Sequence, residues 1–269
     1  MPVQTPIQIR VLGSGTSVGI PTIGCACAVC HSDDPRDRRL RPSVLVSFEA
    51  AGCQRNVVID TTPDFRAQAL AAGFTRLDAI LYTHAHADHI MGLDDIRPFN
   101  YGREERIPAY GDDATLEVVE RVFPYAFQEI ETHPGGLPRV TAHRHDGKAV
   151  RVQGLDFEPV PVKHGKRTIT AYRFGNAAYI TDNSDIPDEA LGRLEDLDVL
   201  FLDALRRFPH PSHSTVEQAL GWVRRLRPKR AYFTHICHDL SHAEVSAELP
   251  EGVELAYDGL VIETAGTRQ

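Results

Sequence analysis

Short apolar runs that end in aspartate or histidine recur along the chain, and they constrain its fold more than any other feature. Seven runs of five or six residues read as strands, namely 7–12, 43–48, 56–60, 79–83, 177–181, 198–203 and 231–235. Helices are predicted over 64–72, 112–122 and 214–226. Strands that alternate with helices indicate an α/β protein, in which the carboxyl ends of strands carry functional groups. The polar residues at these ends are Asp60, His84, Asp182 and His235.

Length and charge narrow the classes of protein to consider. A chain of 269 residues can bury a large core, and we expect one domain over residues 1–269. A formal net charge of −8 argues against nonspecific coating of nucleic acid, because that affinity comes from Lys and Arg. Neither a secretory signal nor a membrane-spanning run is recognised, so we expect a cytoplasmic protein. Its five cysteines are then expected to bind metal or be buried rather than form a disulfide framework.

The densest cluster of candidate metal ligands follows the strand at 79–83. The segment THAHADH holds His84, His86, Asp88 and His89 in an H-x-H-x-D-H pattern. Neutral imidazoles and carboxylates suit zinc, manganese or iron. A solvated histidine-rich turn is the alternative interpretation, although turns seldom need this composition. Four such ligands cannot complete two metal sites, so further ligands are expected downstream.

Three later residues meet that expectation, each at the end of an apolar run. They are His164, Asp182 and His235. Taken alone, each would more often be a structural polar residue than a ligand, but with the first cluster they complete a set of seven. Two divalent ions held by such a set would lower the pKa of a shared water and stabilise charge on a phosphoryl or acyl oxygen. The set therefore predicts hydrolysis.

The order H-x-H-x-D-H followed by His, Asp and His resembles the metallo-β-lactamase superfamily over nearly the whole chain. The resemblance implies a four-layer αββα sandwich with a dinuclear metal site at its edge. It implies that His84, His86 and His164 hold the first metal. It assigns Asp88, His89 and His235 to the second metal, with Asp182 as the bridging carboxylate. Asp60 matches an Asp-x-Gly element of the family, except that Thr62 stands at the glycine position.

Three cysteines near the start of the chain form a second dense cluster. Cys25, Cys27 and Cys30 make a C-x-C-x-x-C run, one ligand short of a tetrahedral site. The spacing alone permits a metal site with a fourth ligand from elsewhere, a redox pair, or buried small residues. The segment HICHD offers Cys237 and His238 as the fourth ligand.

A further resemblance bears on the cysteines. The segment at 12–30 and the segment THICH at 234–238 are similar to the PhnP-type phosphodiesterase branch of the superfamily. That resemblance implies one structural zinc on Cys25, Cys27, Cys30 and His238, with Cys53 and Cys237 unliganded. The glycine-rich segment at 13–19 lacks the spacing and the lysine of a nucleotide-binding loop, so we expect a tight turn that borders the site.

His213 lies in the segment HSTVEQ, just before a predicted helix. The segment resembles an H-S-T element of tRNA 3′-processing endonucleases and the aligned His of the phosphodiesterase branch, which implies that His213 contacts the phosphate and protonates the leaving oxygen. The alternative is a surface histidine next to a helix N-cap. Asp203 either orients His213 or simply ends a strand, while Lys166 and Arg206 are candidates to bind a second phosphate. Four histidines outside these patterns are expected at the surface, namely His133, His143, His145 and His242.

These patterns predict a metal-dependent phosphodiesterase that hydrolyses a small cyclic phosphate or nucleotide-like phosphodiester by means of a hydroxide held between two metals. Its catalytic residues would be Asp88, Asp182 and His213, and its cofactors two Zn or Mn ions and one structural Zn. The expected partner is a small phosphodiester. The protein is expected to bind neither a membrane nor extended nucleic acid, and a homodimer is the candidate assembly.

Two other functions are kept as alternatives. A tRNA 3′-processing endonuclease would share the metals and the H-S-T element. Those enzymes of this type that carry a protruding arm insert it between the third metal His and the bridging Asp, where this chain has only the 17 residues 165–181. The second alternative is a non-catalytic zinc-binding module for redox sensing or protein interaction, which would bind one zinc and hydrolyse nothing.

Overall fold

The computed structural model describes residues 6–128 and 136–266, and within these ranges the strands form two seven-stranded sheets. The first sheet contains β1 (Pro6–Gly13), β2 (Ser43–Ala50), β3 (Cys53–Ile59), β4 (Ala79–Leu81), β5 (Ile107–Gly111), β6 (Val140–Arg144) and β14 (Val261–Ala265). The second contains β7 (Val150–Val152), β8 (Leu155–His164), β9 (Arg167–Phe174), β10 (Ala177–Ile180), β11 (Val199–Asp203), β12 (Arg230–Thr234) and β13 (Val253–Leu255).

Each sheet joins an antiparallel half to a parallel half. The first sheet has the order β14-β1-β2-β3-β4-β5-β6, and its pairings are antiparallel up to β3 and parallel from β3 to β6. The second has the order β13-β12-β11-β10-β9-β8-β7, with parallel pairings from β13 to β10 and antiparallel ones from β10 to β7. The parallel strands of each sheet therefore present their carboxyl ends at one edge, where connections leave the sheet.

Helices cover the outer face of both sheets. They are α1 (Phe65–Ala72), α2 (Ala87–Ile90), α3 (Asp113–Val122), α4 (Pro124–Phe127), α5 (Asp188–Leu191), α6 (Val216–Leu226) and α7 (His242–Glu248). Short 3₁₀ segments lie at Val29–His31, Pro35–Asp37, Leu93–Asn100 and Gly192–Leu194. None of the helices in the described ranges is both long and apolar enough to cross a membrane.

Alternation of side chains along the central strands explains the layers. In β11, Val199 and Phe201 pack between the two sheets, whereas Leu200 and Leu202 pack against the helices on the outer side. In β3, Val57 lies between the sheets and Val58 faces the helices of the first sheet. Because successive side chains of a strand point to opposite faces, a strand that is apolar throughout needs cover on both sides. The predicted four-layer αββα sandwich is confirmed.

Most of the predicted elements are found close to their predicted bounds. The seven predicted strands correspond to β1 to β4 and β10 to β12, and the predicted helices correspond to α1, α3 and α6. Helix α6 begins after Thr215, whose hydroxyl accepts a hydrogen bond from the Gln218 N–H while the Gln218 side chain bonds back to the Thr215 N–H. This capping box fixes the helix start at Val216, three residues after His213.

A close backbone approach at Gly92 joins the loop after β3 to the end of α2. The Gly92 N–H donates to the Thr61 carbonyl at 2.9 Å. A Cβ atom at Gly92 would overlap the Thr62 carbonyl oxygen, so only glycine fits there.

We expect Gly92→Ala to destabilise the protein by about 2 kcal/mol, because the new methyl group forces the two loops apart. Gly192→Ala is the matched control, since a Cβ at Gly192 meets nothing within 4 Å. Chemical denaturation measures both changes, and equal midpoints for the two variants would contradict the steric argument.

Candidate metal centre

The seven predicted ligands of the dinuclear site lie in two adjoining groups. In each group the ligand atoms are all within 4.8 Å of one another. The first group is His84, His86, His164 and Asp182, and the second is Asp88, His89, Asp182 and His235. Asp182 belongs to both groups, which is the position that a bridging carboxylate must have. Their action as ligands remains a prediction, but the fold brings all of them together.

Distances in the first group match a metal coordination shell. His84 Nε2 lies 2.9 Å from His86 Nδ1 and 3.8 Å from Asp182 Oδ2. Ligand atoms about 2.0 to 2.1 Å from a tetrahedral zinc are separated by roughly 3.3 Å. The observed distances lie on both sides of that value.

The second group has the same spacing and carries buried nitrogens without partners. His89 Nε2 lies 3.4 Å from Asp182 Oδ1, and His235 Nε2 lies 3.3 Å from Asp182 Oδ2. Both Nε2 atoms are buried and make no hydrogen bond within the described chain. Buried polar atoms normally find a partner. A divalent cation at each group would supply it, so the residues fit the metals that the fold implies.

Hydrogen bonds behind the imidazoles fix which nitrogen faces the centre. The fully buried Asp60 carboxylate lies 2.7 Å from His89 Nδ1 and accepts from both the N–H and the hydroxyl of Thr83. His164 Nδ1 lies 2.8 Å from the Ser212 carbonyl. An Nδ1–H that donates to oxygen leaves Nε2 as the ligand atom, an arrangement typical of metal-binding histidines.

Thr62, at the glycine position of the Asp-x-Gly element, is accommodated without strain. The left-handed residue of this loop is Asp60, with φ of 68°, whereas Thr62 has a negative φ. The Thr62 hydroxyl donates to Gln68 Oε1 and accepts from the Asp64 N–H, which ties the loop to the start of α1. A threonine side chain therefore stabilises the turn.

Left-handed backbone occurs at three strand ends that surround the site. Asp60 follows β3 with φ of 68°, Asp182 follows β10 with φ of 58°, and His235 follows β12 with φ of 57°. Non-glycine residues adopt this conformation at a cost, and such strain clusters at functional sites. At each of these three residues the backbone turns as it leaves the sheet, and the polar side chain stays at the sheet edge.

The two groups differ in their electrostatics. Burial lowers the pKa of His84 well below its usual value and also lowers that of His164, so both rings are neutral and ready to bind a cation. Burial opposes charge on His89 and His235 as well, yet the neighbouring carboxylates outweigh it. They raise the pKa of His89 well above its usual value and that of His235 to about 9. The carboxylates of the second group therefore favour positive charge beside them, whether it is carried by protonated imidazoles or by bound cations.

His213 lies beside the metal centre and is held by Asp203. Its Nδ1 is 2.7 Å from Asp203 Oδ2, and its ring stacks on His235 with 4.6 Å between centroids. The contact favours the orienting role of Asp203 over a merely structural one. Burial, followed by the charge on His235, lowers the pKa of His213 to about 4. The ring is therefore neutral at pH 7.

The cysteine cluster meets His238 as predicted. His238 Nδ1 lies 3.1 Å from Cys25 Sγ, 3.5 Å from Cys27 Sγ and 3.7 Å from Cys30 Sγ. A tetrahedral zinc with bonds of about 2.3 Å to sulfur and 2.0 Å to nitrogen separates these atoms by roughly 3.6 Å. The backbone N–H of Cys30 is the main cause that lowers the pKa of Cys27 to about 6, which favours the thiolate that zinc requires. The arrangement fits a structural zinc.

The other thiols lie outside this group. Cys237 Sγ donates to Asp239 Oδ2 at 3.1 Å, and Cys53 is exposed on the hairpin between β2 and β3. His31 is exposed beside the cluster. Neither Cys53 nor Cys237 belongs to the group of Cys25, Cys27, Cys30 and His238, and that they bind no metal stays a prediction.

A buried ion pair that the sequence analysis missed holds the loop between the two candidate metal sites. The Arg39 guanidinium pairs with Asp37 at 2.7 Å and donates to the carbonyls of Cys237 at 2.9 Å and Leu240 at 2.7 Å. Both charged side chains are buried. No motif marks this arginine, because its partners are backbone oxygens about 200 residues away in the chain.

Several expectations about peripheral residues are corrected. His145 and His242 are buried rather than at the surface, because they pack edge-on against Tyr172 and Tyr257. His143 is exposed as expected, and His133 lies outside the described residues.

Of the two candidates for binding a second phosphate, Arg206 is occupied within its own loop. It donates to the carbonyls of Phe208 and Pro209 and lies over the Phe208 ring at 4.0 Å. Lys166 is exposed in the turn between β8 and β9. The residue after it, Arg167, was missed and contacts His86, with Nη1 3.5 Å from Nε2.

Comparisons with known proteins agree with this fold. Residues 55–236 match the family described as the beta-lactamase superfamily domain. A crystal structure described as a new diphosphatase from the PhnP family is 51% identical, with a TM-score of 0.89, and covers 97% of this chain and 98% of that one.

Two curated relatives match a smaller share of their own length. An octanoyltransferase of Porphyromonas gingivalis is 37% identical over 262 residues, which are 96% of this chain and 52% of that protein. A ribonuclease Z of Bradyrhizobium diazoefficiens is 31% identical over 134 residues, which are 48% of this chain and 42% of that protein. This chain thus spans about half the length of these curated relatives or less.

We expect Cys27→Ser to remove about one zinc per chain and to lower the free energy of unfolding by several kcal/mol, because a structural zinc contributes directly to folding. Metal analysis and chemical denaturation measure the two effects. Cys53→Ser is the control, since that thiol is exposed and outside the cluster. A Cys27→Ser protein that keeps both its metal content and its stability would rule out the structural zinc.

Proposed function

The chain belongs to the PhnP family of the metallo-β-lactamase superfamily, and we propose from this that it is a metal-dependent phosphodiesterase acting on a small substrate. The observation that carries the proposal is the pair of ligand groups that share Asp182, with His213 beside them. The family alone includes several chemistries. A dinuclear ligand set next to an imidazole held by a buried carboxylate supports cleavage of a phosphorus–oxygen bond.

In this proposal the first cation is held by His84, His86 and His164 and the second by Asp88, His89 and His235, with Asp182 between them. Zinc and manganese both suit this donor set. When bound, the two cations supply an activated water and neutralise negative charge on the phosphoryl oxygens. The protein contributes the placement of its ligands, which Asp60 and the Ser212 carbonyl orient from behind.

His213 is the residue proposed to move a proton. His213 Nδ1–H donates a hydrogen bond to Asp203 Oδ2, so Nε2 is available to the substrate. An anionic phosphate near the ring raises the pKa of the imidazole, and Asp203 stabilises the imidazolium that forms. A protonated His213 can then donate to the departing oxygen as the phosphorus–oxygen bond breaks.

A short connection supports a small substrate rather than a folded RNA. Residues 165–181 between His164 and Asp182 form only strands β9 and β10 with their turns, which is no protruding arm. The net charge of −8 also disfavours long phosphate backbones. A cyclic phosphate or a nucleotide-like phosphodiester is the substrate class proposed here.

A second candidate bond is the diphosphate linkage. The structure that is 51% identical to this chain is described as a diphosphatase. The same metal centre and the same His213 would serve attack on either kind of phosphorus, because both reactions expel an oxygen and build charge on phosphoryl oxygens.

Location, binding partner and assembly are also proposed. We propose a cytoplasmic location, where thiols stay reduced and available to zinc. The proposed partner is the small phosphodiester itself, and a homodimer is the proposed assembly. We propose that the protein binds neither a membrane nor extended nucleic acid.

We expect Asp182→Asn to abolish hydrolysis of bis(4-nitrophenyl) phosphate, because both metal groups lose their shared carboxylate. Turnover is measured with added Zn or Mn, and circular dichroism checks the fold. Asp185→Asn is the control, an exposed acid three residues away.

A panel of 2′,3′-cyclic nucleotides, ribose cyclic phosphates, dinucleotide diphosphates and unprocessed tRNA then separates the candidate substrates. Wild-type protein that carries about one zinc and hydrolyses none of them would support the non-catalytic alternative.

Asp203→Asn tests the proton-transfer role. We expect kcat to fall roughly 10²-fold or more, in keeping with the loss of general acid catalysis, while the two catalytic metals remain bound. Metal analysis and the pH profile of kcat distinguish this outcome from loss of the centre. An unchanged pH profile together with an unchanged kcat would show that Asp203 only completes its strand.

A further inference from the structure

The tip of the hairpin between β8 and β9 places an arginine next to the metal centre. The two strands are joined by Gly165 and Lys166 alone, and His164 pairs directly with Arg167. Gly165 has φ of 59°, as the first position of a two-residue type II′ turn requires. Directly opposed residues of an antiparallel pair project to the same face. Arg167 is therefore fixed on the face that carries His164 into the centre.

Further contacts make this tip a rigid element. The Gly165 N–H donates to Ser184 Oγ at 3.0 Å, and His164 Nδ1 is held by the Ser212 carbonyl at 2.8 Å. The backbone that carries Arg167 is thus tied both to the loop after Asp182 and to the loop before His213. Because this backbone is held in place, the positions that the Arg167 guanidinium can occupy are limited.

The contact between Arg167 and His86 brings together two donors. His86 Nδ1 faces His84 Nε2 at 2.9 Å, inside the first ligand group, so His86 Nε2 lies on the opposite edge of the ring. There it is 3.5 Å from Arg167 Nη1. A histidine that binds metal through Nδ1 keeps its proton on Nε2. Arginine has no acceptor, so the two groups cannot satisfy each other and need an acceptor between them.

The described chain supplies no anion for this pair. Arg167 is exposed and forms no ion pair with any carboxylate in residues 6–128 and 136–266. By contrast, Arg206 is occupied by carbonyl oxygens of its own loop. An exposed guanidinium beside an imidazole N–H is well suited to bind a phosphate oxygen, because charge-assisted hydrogen bonds to phosphate are strong.

We propose that Arg167 and His86 Nε2–H form a subsite for a second phosphate, adjacent to the phosphate that reacts at the metals. The inference rests on the proposed function and refines its substrate class. A substrate with two neighbouring phosphate groups places one at the metal centre and the other between these donors. The site therefore favours substrates with two neighbouring phosphate groups, such as diphosphate esters, over substrates with a single phosphate.

The test compares two stable probes, methylenediphosphonate and methylphosphonate, by calorimetric titration of the metal-loaded protein. We expect Arg167→Gln to weaken binding of methylenediphosphonate about tenfold or more, the loss typical of one charge-assisted hydrogen bond. Binding of methylphosphonate should change by less than about threefold. Arg121→Gln is the matched control, because it removes an exposed arginine charge from helix α3, outside the ligand groups, and it should change neither affinity by more than about threefold. Metal content is measured in every sample.

Two outcomes would overturn the subsite. Arg167→Gln could leave the affinity for methylenediphosphonate unchanged, or it could weaken both probes equally, as a general loss of positive charge would. Wild-type hydrolysis of bis(4-nitrophenyl) phosphate, which has one phosphate, tests the proposed function separately. A wild type without turnover but with a selective loss in Arg167→Gln would contradict the phosphodiesterase proposal and leave the subsite intact.

Discussion

Buried negative charge at the edge of the sandwich is the constraint on which the rest of the site depends. Asp60, Asp88 and Asp182 are all buried in one cluster of imidazoles. Carboxylates removed from water are costly unless positive charge or hydrogen bonds compensate. Protonated His89 and His235 provide part of this compensation, as their raised pKa values show. Divalent cations would provide it more completely, and they would leave the imidazoles neutral as ligands.

The fold meets this constraint by using the ends of parallel strands from both sheets. β3 and β4 deliver Asp60 and His84 from one sheet, and β10 and β12 deliver Asp182 and His235 from the other. Ligands on two rigid sheets keep their separation because the apolar layer between the sheets is closely packed. The left-handed backbone at three of these residues is tolerated because the surrounding layers hold it in place.

The layers and most of the site could be predicted from the sequence because neighbouring residues in the chain carry the signal for both. β11 is apolar at every position except its last, and the THAHADH segment concentrates four candidate ligands in six residues. Strands β7 and β13 are three residues long with a charged residue at the centre, so they show no apolar run, whereas β4 is equally short but wholly apolar. Arg39 and Arg167 could not be identified either. Their partners are a distant backbone and a side chain 81 residues away, and only the folded chain brings them together.

The segment from His235 to Leu240 links the two candidate metal sites. His235 lies in the second ligand group, His238 three residues later lies in the cysteine group, and Arg39 binds the carbonyls around it. The Ile236 N–H also donates to the Ser14 carbonyl at 2.9 Å. His235 has left-handed backbone, and a zinc bound to the cysteines and His238 would hold the segment that follows it, so such a zinc would affect the candidate metal centre as well as stability. The thiols near the N-terminus would thus help to place His235, a candidate ligand more than 200 residues away.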